Sequence, residues 1–370
     1  MSETVVLTGA TGFLGMEVLV RLLERSDHEI VVLVRARDRE AAAERLRGVL
    51  AMLYDEPPAT DGRICALPAD ISREDLAMSA GDRQLLLGRA SSIIHCAASI
   101  AFDLPLPQAL NTNAGGASRM LGLARELADR GRLRRMVHVS TAYVCGTHGG
   151  VFGERDLDVG QGFRNTYERS KADAERTLRE ACGELPLTIA RPSIVVGDSR
   201  TGWTPSFNVV YWPLRAFARG LLGEIPADPS GVLDIVPVDY VADAILALHR
   251  ARNADGAFHL VAGRRAVTNS ELLELACAHL ERPVPRFATA APLPNIEEAA
   301  AYLPYFDVAA RFDDRRARRL LETQGIACPA LATYFSTLLD HAERARWGKL
   351  SPTRESSRPR SAAEARQGAA

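Results

Sequence analysis

The apolar positions of this chain alternate between two periods. Val5-Val6-Leu7 is a short aliphatic run that enters Thr8-Gly9-Ala10-Thr11-Gly12-Phe13-Leu14-Gly15, after which Leu14, Val18, Leu19, Leu22 and Leu23 recur at helical spacing. This order predicts a buried strand, a glycine turn and an amphipathic helix. Ile30 to Val34 arrives as a second strand and completes a βαβ unit. Asp38 to Leu53 puts Ala42, Leu46, Val49 and Leu53 on one helical face, and Ile64 to Ile71 reads as a third strand. Ser92 to Ala98, Met136 to Thr141 and Leu187 to Gly197 read as three more, the last broken at Arg191-Pro192 because proline cannot donate to a ladder. A helix from Thr166 through Ala174, Leu178 and Ala181 separates the fifth strand from the sixth.

Strands alternating with helices predict an α/β protein with a Rossmann-like, doubly wound parallel sheet and a smaller, mainly helical C-terminal substrate lobe. Residues 1–200 are expected to form the nucleotide-binding part, with 234–262 returning to it through a helix over Ala242 to Ala251 and a strand over Ala257 to Val261. Residues 201–233 and 263–348 are expected to form the lobe and lid. Trp203, Phe207, Tyr211, Trp212, Leu214, Phe217, Leu221 and Leu222 make its first part aromatic-rich and predict helix, as do Leu272 to Leu280 and Ala309 to Leu321. Residues 349–370, rich in Ser, Pro, Arg and Ala from Ser351 on, read as a disordered tail.

Composition changes this picture only by exclusion. A net charge of −1 gives no global field for nucleic acid or an anionic membrane. No apolar run reaches the roughly 18 residues that span a bilayer, and Met1-Ser2-Glu3 lacks a basic signal region, so a cytoplasmic protein is expected. The cysteines Cys65, Cys96, Cys145, Cys182, Cys277 and Cys328 form no Cys-x-x-Cys pair, and the histidines form no metal motif, so neither a disulfide framework nor a metal is expected.

The chemistry begins at the glycines. Gly9 permits the tight turn, Gly12 lets backbone N–H groups approach a pyrophosphate, and Gly15 lets helix pack on strand. Where an NAD enzyme carries a carboxylate at the end of the second strand, this chain has Arg35, with Arg37 close by. A guanidinium there suits the 2′-phosphate of NADP, the bland alternative being a solvated residue that opens the next helix. Asp70-Ile71 could bracket an adenine or cap the next element. Ala97 ends a strand in small residues that would let a nicotinamide-side ribose approach. Asn113, read as opening a helix with Gly115 and Gly116, is either a cap or a tie between strands. Ser140 and Thr141 bring hydroxyls to a strand's carboxyl end, where open α/β sheets bind ligands. Tyr167 and Lys171, at i and i+4, share a helix face. Hydride transfer to a carbonyl needs a proton as the oxyanion forms, and a lysine ammonium beside the tyrosine would lower its pKa towards that task.

These stretches together resemble an extended short-chain dehydrogenase/reductase, nearest the thioester reductase and fatty acyl-CoA reductase group, the male-sterility type of NAD-binding protein. The matching segments are Thr8–Gly15, Leu33–Ala36, His95–Phe102, Asn113, Val139–Gly146, Tyr167–Lys171, Ala190–Gly202 and Asp234–Val241, which cover most of residues 4–262. The resemblance implies Thr141, Tyr167 and Lys171 as the catalytic trio. It implies a cofactor set of Gly9, Thr11, Gly12, Phe13, Leu14, Gly15, Arg35, Asp70, Ile71 and Ala97, joined by Tyr167 and Lys171, with NADP as cofactor. The expected reaction is reduction of an acyl thioester to aldehyde, or on to alcohol. The acyl donor would be a free acyl-CoA or a separate acyl carrier protein, and a homodimer stays open. Cys145 departs from the pattern, standing where alcohol-forming members often carry Asn. The competing readings are a sugar-nucleotide epimerase or dehydratase, a hydroxysteroid-type dehydrogenase, and a non-catalytic NADPH-binding protein.

Overall fold

The computed structural model describes residues 3–60, 62–288 and 303–358. Seven strands form one sheet: β1 (Thr4–Thr8), β2 (Glu29–Val34), β3 (Ile64–Pro68), β4 (Ser92–His95), β5 (Arg135–Val139), β6 (Leu187–Pro192) and β7 (Gly256–Leu260). Their spatial order is β7-β6-β5-β4-β1-β2-β3, and every neighbouring pair is parallel. The strand order therefore reverses between β1 and β4. A doubly wound sheet opens its ligand crevice at that switch point, outside the carboxyl ends of the strands.

The strands are apolar on both faces because helices cover both. Val5 and Leu7 face a cluster built with helices α1 (Phe13–Arg25), α2 (Arg39–Leu53) and the later Val238–Arg250, whereas Val6, Ile93 and Met136 face the opposite cluster with Met120, Leu121, Ala174 and Leu178. Local chemistry sets the helix starts. Asp38 accepts the Ala41 N–H to cap α2 at 2.8 Å, and Asn165 accepts the Glu168 N–H at 2.9 Å to cap the helix Thr166–Glu180. A third cluster, with Tyr143, Val196, Phe217, Leu272, Tyr305, Phe312 and Leu338, makes the core of the lobe.

Several expected elements differ. The long helix after β4 runs Leu106–Asp129 behind Pro105, so Asn113 lies inside it rather than at its start. Only Tyr211–Ala218 is helical within 201–233; the rest of that segment turns through short strands at Glu224–Ile225 and Val232–Leu233. The expected helix over Ala309 to Leu321 is instead a strand, Ala310–Phe312, followed by a helix, Arg315–Glu322. The sixth strand breaks at Ser193, with Pro192 still in the ladder opposite Leu260.

The start of the expected disordered tail is docked. Arg354 is 5% exposed and donates to Glu17 at 2.6 Å, the Pro352 carbonyl accepts from the Trp203 indole at 3.1 Å, and Arg354 N–H bonds the Met52 carbonyl. Composition misjudged this stretch because one buried guanidinium, paired with the buried Glu17 carboxylate, anchors a segment with little apolar surface. Residues 359–370, and the lobe stretch 289–302, lie outside the described residues.

Candidate functional site

The turn after β1 is fixed by backbone sterics. Gly9 has φ +77°, and a Cβ there would stand 2.6 Å from the Ala97 nitrogen, so β1 and the end of β4 could not close as they do. A Cβ on Gly15 would stand 2.0 Å from the Gly9 oxygen, which is the close packing of helix on strand that the spacing implied. Gly12 occupies the N-cap of α1, with no side-chain capping bond and no acidic residue in the first turn. The helix thus presents its first N–H groups, with Thr11 and Gly12 exposed and Phe13 and Leu14 half-buried around them. An uncapped helix N-terminus of this kind fits a dinucleotide's phosphates.

At the end of β2, Arg35 is exposed, and among the described residues its guanidinium has no hydrogen-bond partner. Its carbonyl accepts from Arg45 at 2.7 Å, which adds a second guanidinium that the spacing of the motif did not point to. Arg37 is spent on Asp38 at 3.0 Å. Asp70 closes a local turn rather than capping the next helix, whose N-cap is Arg73: it accepts from the N–H and hydroxyl of Ser72 at 2.9 and 2.6 Å. Those bonds hold its carboxyl below the usual range against the upward push of burial. Ile71 packs against Gly116. The Ala97 N–H donates to the Thr8 hydroxyl at 3.2 Å.

Asn113 resolves as a tie. Its amide accepts from the Ser99 N–H at 2.8 Å and donates to the Ser99 carbonyl at 3.0 Å and to the Ser170 hydroxyl at 2.9 Å. It thereby fastens the loop after β4 to the helix Thr166–Glu180, here the candidate catalytic helix, which carries Tyr167 and Lys171.

On that helix Tyr167 is half-buried and hydrogen-bonded to Thr141. Burial pushes its hydroxyl up to about 12, and the Thr141 bond only partly opposes this. The expected lowering by Lys171 is therefore not present, because the ammonium is engaged elsewhere: Lys171 donates to the Val139 carbonyl at 2.7 Å and lies 3.4 Å from His138 Nε2. Burial brings Lys171 itself down to about 8, against the opposing charge of Glu175. Thr141 accepts from the Tyr143 N–H at 3.2 Å and contacts the Pro192 carbonyl at 3.4 Å.

Beneath the trio lies a buried ion network that the motifs did not reveal. Glu175 takes Arg191 through both oxygens at 2.6 and 3.0 Å, accepts from Arg179 at 2.9 Å, and accepts from the Ser140 hydroxyl at 3.1 Å. A fully buried carboxylate held this way fixes helix, strand β6 and the end of β5 together. The signal was in the sequence, since Glu175 follows Lys171 by one helical turn and Arg191 interrupts an apolar strand. At the mouth, Phe102 stacks on Tyr305 with ring centroids 5.1 Å apart and lies 5.6 Å from Tyr167. Tyr305, from the lobe, also hydrogen-bonds Asn165 at 2.9 Å and the Glu168 carboxylate. Cys145 is buried in the lobe core, its thiol pushed up to about 12 by burial.

Residues 7–245 match the family of NAD-binding domains described as male sterility protein. The chain belongs to that family. Among its curated relatives, fatty acyl-CoA reductase 2 of Mus musculus is 28% identical over 282 residues, 67% of this chain and 54% of the relative. Fatty acyl-CoA reductase 1 of Homo sapiens is 29% identical over 280 residues, 66% of this chain and 54% of that one. The chain thus spans about half the length of the curated relatives it matches. The terminal R domain of the myxalamid PKS-NRPS pathway superimposes with a TM-score of 0.79 at 27% identity, covering 95% of this chain and 93% of that domain. The stretch that matches the male sterility family includes the cradle, Thr141, Tyr167 and Lys171. Among the described residues no group of three His, Cys, Asp or Glu could hold a metal ion, and no helix is long and apolar enough to cross a membrane.

Proposed function

We propose that this protein reduces an acyl thioester with NADPH, releasing the thiol and an aldehyde. The observation that carries this reading is the near full-length likeness to a terminal reductase domain, which extends through the lobe as well as the cradle. When bound, a reduced nicotinamide supplies hydride to the acyl carbonyl carbon. The rest falls to the chain's own residues. The Thr141 and Tyr167 hydroxyls, already hydrogen-bonded to each other, stabilise the developing oxyanion, and Tyr167 gives it the proton. At about 12 the Tyr167 hydroxyl is fully protonated at neutral pH, the form an acid needs. Lys171 would hold the cofactor's ribose. The resulting hemithioacetal expels its thiol, and a second hydride in the same pocket would carry the aldehyde to an alcohol.

NADPH is preferred to NADH because Arg35 is exposed and, among the described residues, without a hydrogen-bond partner for its guanidinium, with Arg45 beside it and no carboxylate at the end of β2. The cradle residues Gly9, Thr11, Gly12, Phe13, Leu14 and Gly15, with Ile71 and Ala97 alongside, would take the remainder of the dinucleotide. Asp70, engaged with Ser72, would flank the adenine rather than bond it through a free carboxylate. The acyl group would arrive as an acyl-CoA or on a carrier protein, its chain passing the aromatic mouth of Phe102 and Tyr305. The proposed setting is cytoplasmic. The test is a parallel screen of NADPH oxidation with acyl-CoA esters, aldehydes and UDP-sugars, with free thiol measured in each. Thiol release matched to NADPH consumption supports the reading; turnover with UDP-sugars alone refutes it.

A further inference from the structure

Strands β1, β4 and β5 place a row of three polar side chains on one face of the sheet. Thr8 pairs in register with His95, and His95 with His138. They lie on the side of the catalytic helix, the same side as Val6, Ile93 and Met136, and all three are buried. Thr8 Oγ1 lies 2.7 Å from His95 Nδ1, the two imidazoles have centroids 5.1 Å apart, and His138 Nε2 lies 3.4 Å from Lys171 Nζ. Two ring nitrogens, His95 Nε2 and His138 Nδ1, have no partner among the described residues. Core filling does not account for this row, since aliphatic side chains would pack beside Ile93 and Met136 on this face without burying orphaned nitrogens.

We infer that His138 is a positioning residue for Lys171: as a neutral imidazole with its proton on Nδ1, it accepts one ammonium N–H through Nε2. An ammonium has three donors and no acceptor, so the nitrogen facing it must carry the lone pair. With the Val139 carbonyl taking a second N–H, the rotor is fixed and the third N–H is left for a cofactor or substrate oxygen. His95, bonded to Thr8, buttresses the His138 ring, and Thr8 is in turn the acceptor for Ala97 beside the cradle. Burial holds His95 down at about 3 and His138 well below its ordinary value, with the Lys171 charge adding to the effect in both, so both rings stay neutral at working pH. The other groups facing Lys171 are Glu175 along its own helix and Cys96 from the end of β4.

The inference rests on the proposed function only in that Lys171 touches a nicotinamide cofactor, and its test needs no thioester. In 15N-histidine spectra of the cofactor-free protein, His138 should show the Nδ1–H tautomer from about pH 5.5 to 9, the span over which a buried imidazole stays neutral. The opposite tautomer or a charged ring would overturn the inference. NADPH binding, followed by fluorescence across pH, should weaken about tenfold in His138→Leu, as for loss of one hydrogen bond to a charged group. Its alkaline limb should move to lower pH, because an ammonium that loses an acceptor gives up its proton more readily. His138→Gln, whose side-chain oxygen can stand in for Nε2, should restore both. A His138→Leu protein with normal affinity and an unmoved limb would refute the inference, and should that variant not fold, the tautomer and the Gln variant still decide it. A protein that binds NADPH as described but releases no thiol would overturn the thioester reading alone.

Discussion

The glycine cradle and the Thr141–Tyr167–Lys171 edge meet at the same end of one sheet, yet they are held in place by different physics. The cradle is set by what has no room: a Cβ on Gly9 or Gly15 would collide with backbone, and the helix N-terminus is left open and polar. The proposed catalytic edge is set by what is buried and charged: Lys171, Glu175 and Arg191 lie almost wholly out of solvent, and Glu175 binds Arg191 directly. Steric sites tolerate no added atom but are indifferent to pH. Ionic sites accept isosteres but feel every change of charge, because removing one partner leaves the other buried and unpaired.

The sharpest way to break this contrast is at the edge. Tyr167→Phe keeps the ring against Phe102 and removes the proton donor, so turnover should fall by roughly 10²–10⁴ while NADPH affinity stays near normal. Steady-state kinetics beside a binding titration would show it; equal losses in both would mean that Tyr167 positions cofactor. Next is the cradle, where Gly15→Ala pushes a methyl into the Gly9 carbonyl and should cost about 1–3 kcal/mol or more of stability, with loss of NADPH binding. Chemical denaturation at two pH values should give the same loss at each, since no charge is involved.

The docked C-terminal segment extends the comparison to a third region. Arg354→Ala strips a buried guanidinium from Glu17 and should cost about 1–3 kcal/mol, read as a lower denaturation midpoint. An unchanged midpoint would show that 351–358 is dispensable, as its composition suggests. Arg35→Asp should act most narrowly, weakening NADPH by about tenfold or more, through loss of charge-assisted bonds worth roughly 1.5–3 kcal/mol, while favouring NADH. Unaltered preference in paired titrations would assign the 2′-phosphate to another residue, Arg45 first.

The same contrast explains what could be read from the chain alone. The cradle was legible because its requirements are local: three glycines, a strand before and a helix after. Tyr167 and Lys171 were legible as a helical pair. Asn113 was half legible, since its polarity was evident but the earlier start of the Leu106–Asp129 helix after Pro105 was not, and this turned a supposed cap into a tie. The lowered Tyr167 pKa was expected from sequence proximity, whereas the ammonium turns to Val139 and His138. Glu175 with Arg191, and His138 with Lys171, are contacts between distant segments that arise only once β5, β6 and the catalytic helix are assembled. Their trace in the sequence is a charged or imidazole residue in an otherwise apolar strand, as in Ile93-Ile94-His95, Val137-His138-Val139 and Ile189-Ala190-Arg191.

The most direct measurement follows the hydride itself. The protein is given a long-chain acyl-CoA and NADPH carrying deuterium at the transferred position, and the organic product and free thiol are quantified by mass spectrometry. The proposed mechanism predicts one thiol released per acyl group and product bearing deuterium at C1, one atom in an aldehyde and two in an alcohol, with both signals falling together in Tyr167→Phe. Deuterium loss from the cofactor without thiol release, or an unlabelled product, would contradict it.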